Sequence, residues 1–414
     1  MSDAEENKEL TGDPLAMQLH EWKHWAASQG LPSYRARQVF TALQRDRARD
    51  WNEVHQLRPA NREQLELAYP LRWPRVTCSV RSGDGTIRHL LELADGKQVE
   101  AVYLPDEEFD QNGRAIHRRT TFCVSSQVGC AVDCQFCLTA TLGLSRSLTA
   151  GEIVGQVQVL LREHALQPGS TGGRNDRVNL VFMGQGEPFL NYANVVRAIQ
   201  VLTDPEGAGL APRRITVSTS GIVDKIRRWS TEPFPHGRPR LAISLNASHD
   251  EQRQRLMPLH DGQGGMTVLF DAVDAYQYQP REYLTFEYVL LAGINDQPED
   301  AGRLIQLLRH RRAKVNLIAW NAGENLPFQT PEPDVVLAFQ QHLIRGGVPT
   351  YLRRPRGRDI FAACGQLSAA GLTAPATTRR NTPAGVRTSR KPSPSSPSVT
   401  PSQSSSTTTD SPRA

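Results

Sequence analysis

Three cysteines in one short stretch are the residues of this sequence best placed to do chemistry. Cys130, Cys134 and Cys137 form a C-x3-C-x2-C run, and three thiolates can hold three irons of a [4Fe-4S] cluster while the fourth iron stays open to an outside ligand. A structural zinc site is the competing interpretation. Such a site usually has four protein ligands and no open position, and no nearby Cys or His completes the usual ligand spacing. A chance group of three buried thiols is the remaining alternative.

The other cysteines, Cys78, Cys123 and Cys364, are spread along the chain. A disulfide scaffold is not expected in a long chain that shows no export signal. Cys123 lies just upstream of the C-x3-C-x2-C run, so four cysteines fall within 15 residues and indicate a metal site or a catalytic site. Cys78 belongs to no motif, and a small buried hydrophobic residue is its simplest interpretation.

Composition and charge narrow the class of protein. The 414 residues, 38% of them hydrophobic, suffice for one large or two smaller domains. No apolar run approaches the roughly 18 residues that span a bilayer, and the acidic N-terminus has no apolar stretch behind it, so we expect a cytoplasmic protein without a membrane span. The net charge of +5 comes from the C-terminal tail, where six basic residues face Asp410 alone. Because the rest of the chain is neutral overall, we expect it to bind a polyanion only where arginines cluster locally.

The elements that must position the thiols have an α/β pattern. From about residue 119, apolar runs typical of buried strands alternate with amphipathic segments, which predicts βαβ units and a parallel sheet, open or closed into a barrel. Thr149 and Glu152 form a capping box that marks the start of the first of these helices. In such folds the chemistry gathers at the carboxyl ends of the strands, and the cysteine run directly follows the first predicted strand, Thr120 to Val124.

The chain divides by pattern into five segments. Residues 14–75 predict a small helical accessory domain, and 76–118 predict short strands in an extension that carries Glu100. Residues 119–367 predict the α/β barrel and a loop with Cys364, whereas 1–13 and the Ser/Thr/Pro-rich, basic 368–414 predict disorder. The arginines of the helical segment fit a solvated surface and an RNA contact equally well.

Several strings resemble a known family. The cysteine run after a first barrel strand, with Gly186-Glu187-Pro188 on the second, resembles the radical S-adenosylmethionine (SAM) enzymes. Three longer strings are similar to the RlmN/Cfr family of adenine RNA methyltransferases over roughly residues 20–367; they are CVSSQVGC from Cys123, LTAGEIV from Leu148 and AACGQL from Ala362. The resemblance implies a partial (βα)6-type radical SAM barrel.

The resemblance also implies the cofactors and their ligands. Cys130, Cys134 and Cys137 would ligate one [4Fe-4S] cluster, whose open iron would chelate SAM. The implied SAM contacts come from the ends of successive strands, and they are Gly186, Glu187, Ser218, Ser244, Leu245, Asn246 and Asn321. Two features depart from the family pattern. Asn246 stands where many family members have His, and the segment formed by residues 106–118 is longer than usual.

Two cysteines and one carboxylate carry the implied reaction. One SAM would methylate Cys364, and a second, cleaved reductively, would yield a radical that takes hydrogen from the S-methyl group. The resulting methylene radical would add to C2 of adenine, and Cys123 would resolve the adduct through a disulfide with Cys364. Radical addition suits an electron-poor carbon that cannot attack a methylsulfonium. Glu100 matches the family's proton acceptor, although the residues alone favour an outward-facing Glu on a strand.

The implied substrates are 23S ribosomal RNA and transfer RNA, with an electron donor such as flavodoxin or ferredoxin and a monomeric enzyme. Arginines from Arg353 to Arg358 precede Cys364, where guanidinium groups could hold phosphates. Two rival functions stay open. One is methylation of adenine C8 by the same cysteines, and the other is a non-catalytic, metal-stabilised RNA-binding module.

Overall fold

The structure is a computed structural model. It describes residues 12–109, 115–168, 176–258, 264–323 and 325–367, with the backbone alone for residues 107–109 and 115–118. Backbone contacts place all of the described residues in the first of two units of the chain, Met1–Thr373. The predicted disordered tail at 368–414 and residues 1–11 lie outside the described residues. No helix among the described residues is long and apolar enough to cross a bilayer.

Helices and strands alternate through most of the first unit. The α-helices of the described residues are α1 Leu19–Ser28, α2 Tyr34–Gln44, α3 Pro59–Ala68, α4 Ala150–Glu163, α5 Tyr192–Thr203, α6 Val223–Trp229, α7 Asp250–Leu256, α8 Gly265–Asp274, α9 Pro298–Leu308 and α10 Pro333–Arg345. The strands are β1 Arg75–Arg81, β2 Ile87–Glu92, β3 Gln98–Phe109, β4 Ala115–Cys123, β5 Gln127–Gly129, β6 Leu144–Ser147, β7 Arg177–Phe182, β8 Ile215–Thr219, β9 Arg240–Ser244, β10 Leu284–Leu290, β11 Ala313–Ala319 and β12 Thr350–Leu352.

Ten strands form one sheet in the order β1-β2-β3-β4-β7-β8-β9-β10-β11-β12. Strands β1 to β4 pair antiparallel, and the pairs from β4 to β12 are parallel. The described strands leave the sheet open between β1 and β12, so the predicted α/β fold with a partial barrel is confirmed. The predicted short-strand extension continues the barrel sheet, and β2 is buried along almost its whole length.

Local sequence explains where the first crossover helix begins. The Thr149 hydroxyl accepts a hydrogen bond from the Glu152 backbone N–H, and the Glu152 carboxylate accepts one from the Thr149 N–H. This reciprocal pair satisfies two amides that the first helical turn leaves free. The predicted capping box is therefore confirmed, and α4 packs its apolar residues into the core.

The N-terminal helices share one hydrophobic core with the barrel. Their arginines contribute to this junction: Arg37 pairs with Glu206, and Arg45 donates to the Pro205 carbonyl at 2.7 Å. Arg47 donates to the Gln158 side chain at 3.2 Å. These three guanidinium groups therefore bind barrel residues, a third role beside the two that the sequence left open.

Candidate functional site

The cysteine run lies on a loop that backbone contacts fix in place. The Cys130 N–H donates to the Gly143 carbonyl at 3.0 Å, and the Gln135 N–H donates to the Leu256 carbonyl at 3.0 Å. Gly129 has a φ of 80°, and a Cβ there would lie 1.8 Å from the Gly143 oxygen. Glycine is therefore required where the loop leaves β5.

A cavity of about 160 Å³ gathers the thiols with the carboxyl ends of the parallel strands. Eight of the sequence-predicted site residues line it: Cys130, Cys134, Cys137, Ser218, Ser244, Asn246, Asn321 and Cys364. Apolar side chains such as Val132, Phe136 and Trp320 complete the wall. The arrangement follows the rule that parallel strands present their carboxyl ends at one edge of the sheet.

Burial keeps the three thiols of the run protonated in the free protein. It raises the pKa of Cys130 to about 12 and raises the pKa values of Cys134 and Cys137 as well. The nearby Glu187 carboxylate adds to the rise at Cys130 and Cys134. Thiolates at these positions would need a strongly cationic centre to stabilise them.

The placement of the three thiols fits a metal cluster. Among the described residues, no three Cys, His, Asp or Glu side chains converge closely enough to hold one metal ion. The three thiols nevertheless line one cavity with an apolar wall. Ligands to separate irons of a cluster surround a cavity rather than meet at a point, so the three thiols fit a [4Fe-4S] group.

The strand ends beside the thiols are tied together by one buried guanidinium. Arg253 on α7 donates to the Ser244 carbonyl at 2.8 Å and also to the carbonyls of Leu245 and Ser220. Burial lowers the pKa of Arg253 to about 10. Ser218 and Ser244, whose hydroxyl oxygens lie 3.5 Å apart, thus sit on two strands in a fixed relation.

The two asparagines use their side chains within the protein. The Asn246 Oδ1 accepts from the Val289 N–H at 2.9 Å, and the backbone of Asn246 has a φ of 53°. The Asn321 Nδ2 donates to the Cys364 carbonyl at 3.2 Å, while its Oδ1 accepts from Arg358 at 2.7 Å. Both amides therefore shape the cavity wall, and Asn321 also positions the loop of Cys364.

Gly186, Glu187 and Leu245 are not part of this cavity wall. The Glu187 carboxylate accepts from the Phe189 N–H at 2.9 Å and the Ser220 N–H at 2.6 Å. A Cβ on Gly186, whose φ is 98°, would lie 2.5 Å from the Gln127 Cβ. These residues brace the strand ends beneath the cysteine loop, and their contact with SAM stays a prediction.

Cys364 lies on a segment that is hydrogen-bonded to the residues directly after the cysteine run. The Leu138 N–H donates to the Gly365 carbonyl at 2.8 Å, and the Thr139 hydroxyl donates to the Leu367 carbonyl at 2.6 Å. A second cavity, of about 60 Å³, is lined by both Cys364 and Cys123. All six cysteines are free thiols in the structure, and burial raises the pKa of Cys123 to about 12.

Glu100 lies inside the protein, so the interpretation as an outward-facing strand residue is wrong. It is fully buried on β3 and forms an ion pair with Arg88, which also donates to the Ile360 carbonyl at 3.1 Å. The Ser125 hydroxyl donates to the Glu100 carbonyl at 2.7 Å. Glu100 is not among the residues lining the two cavities, although its charge contributes to the raised pKa of the Cys123 thiol.

Comparison with known proteins supplies the family. Residues 124–305 match the model of the radical SAM superfamily. A probable dual-specificity RNA methyltransferase RlmN of Koribacter versatilis is 48% identical over 82% of this chain and 96% of its own length. The RlmN of Syntrophobacter fumaroxidans is 42% identical over 85% of this chain and 96% of its own length. The chain belongs to the RlmN family.

A solved structure agrees with this RlmN assignment. The radical SAM methyltransferase from Sphaerobacter thermophilus superposes with a TM-score of 0.77 at 39% identity. The match covers 86% of this chain and 99% of the other. The resemblance inferred from sequence motifs is therefore confirmed, and with it membership in a superfamily whose members hold a [4Fe-4S] cluster and SAM.

The sequence did not predict that two charged residues lie in the wall of this RlmN-family cavity. Glu287 on β10 is buried, with Oε1 accepting from Asn316 at 2.9 Å and Oε2 without a hydrogen-bond partner among the described residues. Arg353 faces the cavity beside Cys364. A charged residue inside the apolar run Leu284–Leu290 was a usable signal for Glu287, whereas Arg353 was predicted only among the arginines that could hold phosphates.

The arginines near Cys364 have different partners. Arg356 pairs with Asp84 at 2.9 Å and donates to the Pro105 carbonyl, and Arg358 donates to Asn321. Arg354 is exposed and lines the smaller cavity. Arg354 is therefore the member of this group best placed to contact RNA, while Arg356 and Arg358 hold the loop.

Proposed function

We propose that this chain methylates C2 of adenine in 23S ribosomal RNA and in transfer RNA, through a methyl group carried on Cys364. The observation that carries the proposal is that Cys364 lies in the walls of two cavities. It lines one cavity together with Cys130, Cys134 and Cys137 and a second cavity together with Cys123. A single thiol that faces both partners can first receive a methyl group and later be attacked by another thiol.

The cofactor requirement follows from the first cavity. Cys130, Cys134 and Cys137 would hold the [4Fe-4S] cluster, and Ser218, Ser244, Asn246 and Asn321 would contact SAM, with Gly186, Glu187 and Leu245 supporting the strand ends. When bound, the cluster supplies the electron that makes SAM a source of a hydrogen-abstracting radical. Two SAM molecules are used in each turnover, one as methyl donor and one as radical source.

The protein's own residues direct the remaining steps. Cys364, as a thiolate, takes the methyl group from SAM, and loss of one hydrogen atom from that group lets its carbon bond to adenine C2. The adduct must then lose one electron, for which the oxidised cluster would be the acceptor, together with the proton at C2. The Cys123 thiolate attacks the Cys364 sulfur, which forms a disulfide and releases the carbon from sulfur with its electron pair, and that carbon takes up a proton to become the methyl group. The Arg353 charge favours the thiolate form of Cys123 and so opposes the burial that raises the pKa of this thiol. Glu100 would accept the proton lost from C2, which requires it to leave its Arg88 ion pair or act through that pair.

Nucleoside analysis tests the reaction and the substrate together. A bacterial strain lacking its own RlmN-type enzyme is complemented with the wild-type chain, and ribosomal and transfer RNA are digested and analysed by mass spectrometry. We expect 2-methyladenosine in both RNAs. 8-Methyladenosine would support the C8 rival instead, and no methylated adenine with a colourless protein would support the metal-stabilised binding module.

The matched control for this experiment is Cys78→Ala. Cys78 lies on β1, half-buried where the sequence predicted a buried residue, and lines neither cavity. The variant should give the same 2-methyladenosine content as wild type. Cys364→Ala should give none while keeping the brown colour of the cluster.

A further inference from the structure

A pocket of about 290 Å³ lies at the edge of the sheet opposite to the cysteine loop. Five arginines line it: Arg119, Arg177, Arg213, Arg214 and Arg240. Arg177 and Arg240 begin β7 and β9, Arg213 and Arg214 directly precede β8, and Arg119 pairs in register with Arg177 on β4. Since β7 has six residues, about 17–20 Å of strand separates this pocket from the cysteine cavity.

Within the pocket lining that the structure describes, the charges of these guanidinium groups are largely unbalanced. None of the five forms an ion pair among the described residues, and the lining includes a single carboxylate, that of the exposed Asp106. Several arginines elsewhere have carboxylate partners, as in Arg238 with Glu282 at 2.6 Å and Arg311 with Asp274 at 2.6 Å.

Mutual repulsion inside the pocket is visible at Arg214. Its pKa is lowered by burial and then by the charges of Arg177, Arg213, Arg119 and Arg240. Five like charges that converge on one concave space raise the free energy of the folded protein. A bound polyanion would offset this cost, so the pocket has the charge of a binding site.

We propose that this pocket binds closely spaced phosphate groups. Guanidinium forks donate paired hydrogen bonds that match phosphate oxygens, and five positive charges exceed the charge of about −2 that one phosphate monoester carries. Asn179 in the same lining adds an amide. The phosphates belong either to the backbone of bound RNA or to a free nucleotide polyphosphate, and the site goes beyond the proposed methyl transfer, because it requires neither SAM nor a cluster.

The first measurement uses inorganic tripolyphosphate and the full chain. We expect the melting temperature of wild type to rise with tripolyphosphate until the site saturates. The double variant Arg177→Gln, Arg214→Gln should bind tripolyphosphate at least tenfold more weakly by calorimetry. Without the probe, its melting temperature should equal or exceed that of wild type, because two repelling charges are gone. A purely structural role for these arginines would instead lower it.

The control variant removes the same charge elsewhere. Arg72 and Arg345 are exposed and lie outside the pocket lining. Arg72→Gln with Arg345→Gln should therefore bind tripolyphosphate as wild type does. Equal losses in the two double variants, or no stabilisation of wild type by tripolyphosphate, would overturn the proposal.

A second measurement identifies the source of the phosphates. The slope of log affinity for RNA against log salt concentration reports the number of phosphate contacts, at roughly 0.7–0.9 per contact. If RNA occupies the pocket, the Arg177, Arg214 variant should lose about 1–2 units of slope and the control variant should not. If the variant loses tripolyphosphate binding but keeps the salt slope of RNA binding, the pocket binds a free nucleotide polyphosphate. Methylation activity is not a readout here, so failure of this proposal is distinct from failure of the proposed function.

Discussion

Cys123 and Cys364 differ in how the protein holds them. Cys123 ends strand β4 and is buried, whereas Cys364 lies on a loop fixed to the cysteine run through Gly365 and Leu367. A rigid attacking thiol and a thiol that faces both cavities suit two different steps of one reaction. Their single substitutions should therefore stop the proposed reaction at different points.

Cys123→Ala should trap a covalent protein–RNA complex. The radical step can still join Cys364 to adenine, but no thiol then attacks the Cys364 sulfur to release the product. Denaturing gels should show a complex that nuclease removes. The double variant Cys123→Ala, Cys364→Ala should show none, because the carbon carrier is missing. Free methylated RNA formed by Cys123→Ala at the wild-type rate would refute the resolving role.

Glu287→Gln tests the buried carboxylate in the cavity wall. Burial raises the pKa of Glu287, and its Oε2 lacks a hydrogen-bond partner among the described residues. A buried acceptor without a partner costs stability, so we expect the ligand of this cavity to satisfy it. The variant should fold with unchanged or greater stability and bind SAM about tenfold more weakly in equilibrium dialysis, with iron content unchanged. Wild-type SAM affinity would show that Glu287 is only a structural residue.

At the scale of elements, the sequence predicted the alternating strands and helices of the barrel but not every pairing. Apolar runs located β4, β7 and β8 to β11, because buried parallel strands are hydrophobic on both faces. Helices α6 and α7 have only seven residues each, and a segment of that length is too short to show a helical period in the sequence. That β1 to β3 extend the barrel sheet depends on long-range pairing, which periodicity does not encode.

The candidate site shows the same division. Cysteine spacing predicted the three thiols of the first cavity wall, and the family resemblance supplied the other predicted residues in it, which lie at or beyond strand ends as the topology of a parallel sheet requires. The bracing role of Glu187 depends on where Phe189 and Ser220 place their amides, and the inward direction of Glu100 depends on Arg88 across the β2–β3 pair. Such roles arise from tertiary packing, so sequence alone could not separate them from catalytic ones.

The contact between β2 and α4 predicts a pH dependence of stability. The Nε2 atoms of His89 and His164 lie 3.1 Å apart, and the Tyr103 ring stacks on His164 at 3.6 Å. Burial lowers the pKa of each histidine to about 4. One neutral ring can donate to the other, whereas two protonated rings would place N–H groups and charges face to face.

Stability should therefore fall as pH decreases from about 6.5 to about 4. In that pH range the two histidines bind protons in the unfolded chain but not in the folded protein, so the free energy of unfolding rises with pH. Chemical denaturation at pH 7, 5.5 and 4.5 measures the effect. His164→Gln should flatten the dependence, because it removes one titrating ring and the facing charge. An equally steep dependence in that variant would assign the loss to other groups.

At the scale of the whole molecule, positive charge is concentrated rather than spread. The chain carries +5 in total, equal to the excess in residues 368–414, so its remaining residues are neutral overall. Arg37 and Arg45 join the N-terminal helices to the barrel, and five other arginines meet in the pocket at the far edge of the sheet. RNA affinity should thus depend on a few local clusters and on the tail.

A chain that ends after Leu367 should keep methylation activity and lose RNA affinity only at low ionic strength. Every residue placed in the proposed chemistry precedes this point, and Leu367 itself must stay because it is buried and its carbonyl accepts from Thr139 at 2.6 Å. Removal of five units of positive charge should reduce the salt slope of RNA binding. A full-length variant with the six basic tail residues changed to Gln and Asp410 changed to Asn should match the truncated chain, because charge and not length sets the effect. Loss of methylation by the truncated chain at every salt concentration would instead give the tail a part in catalysis.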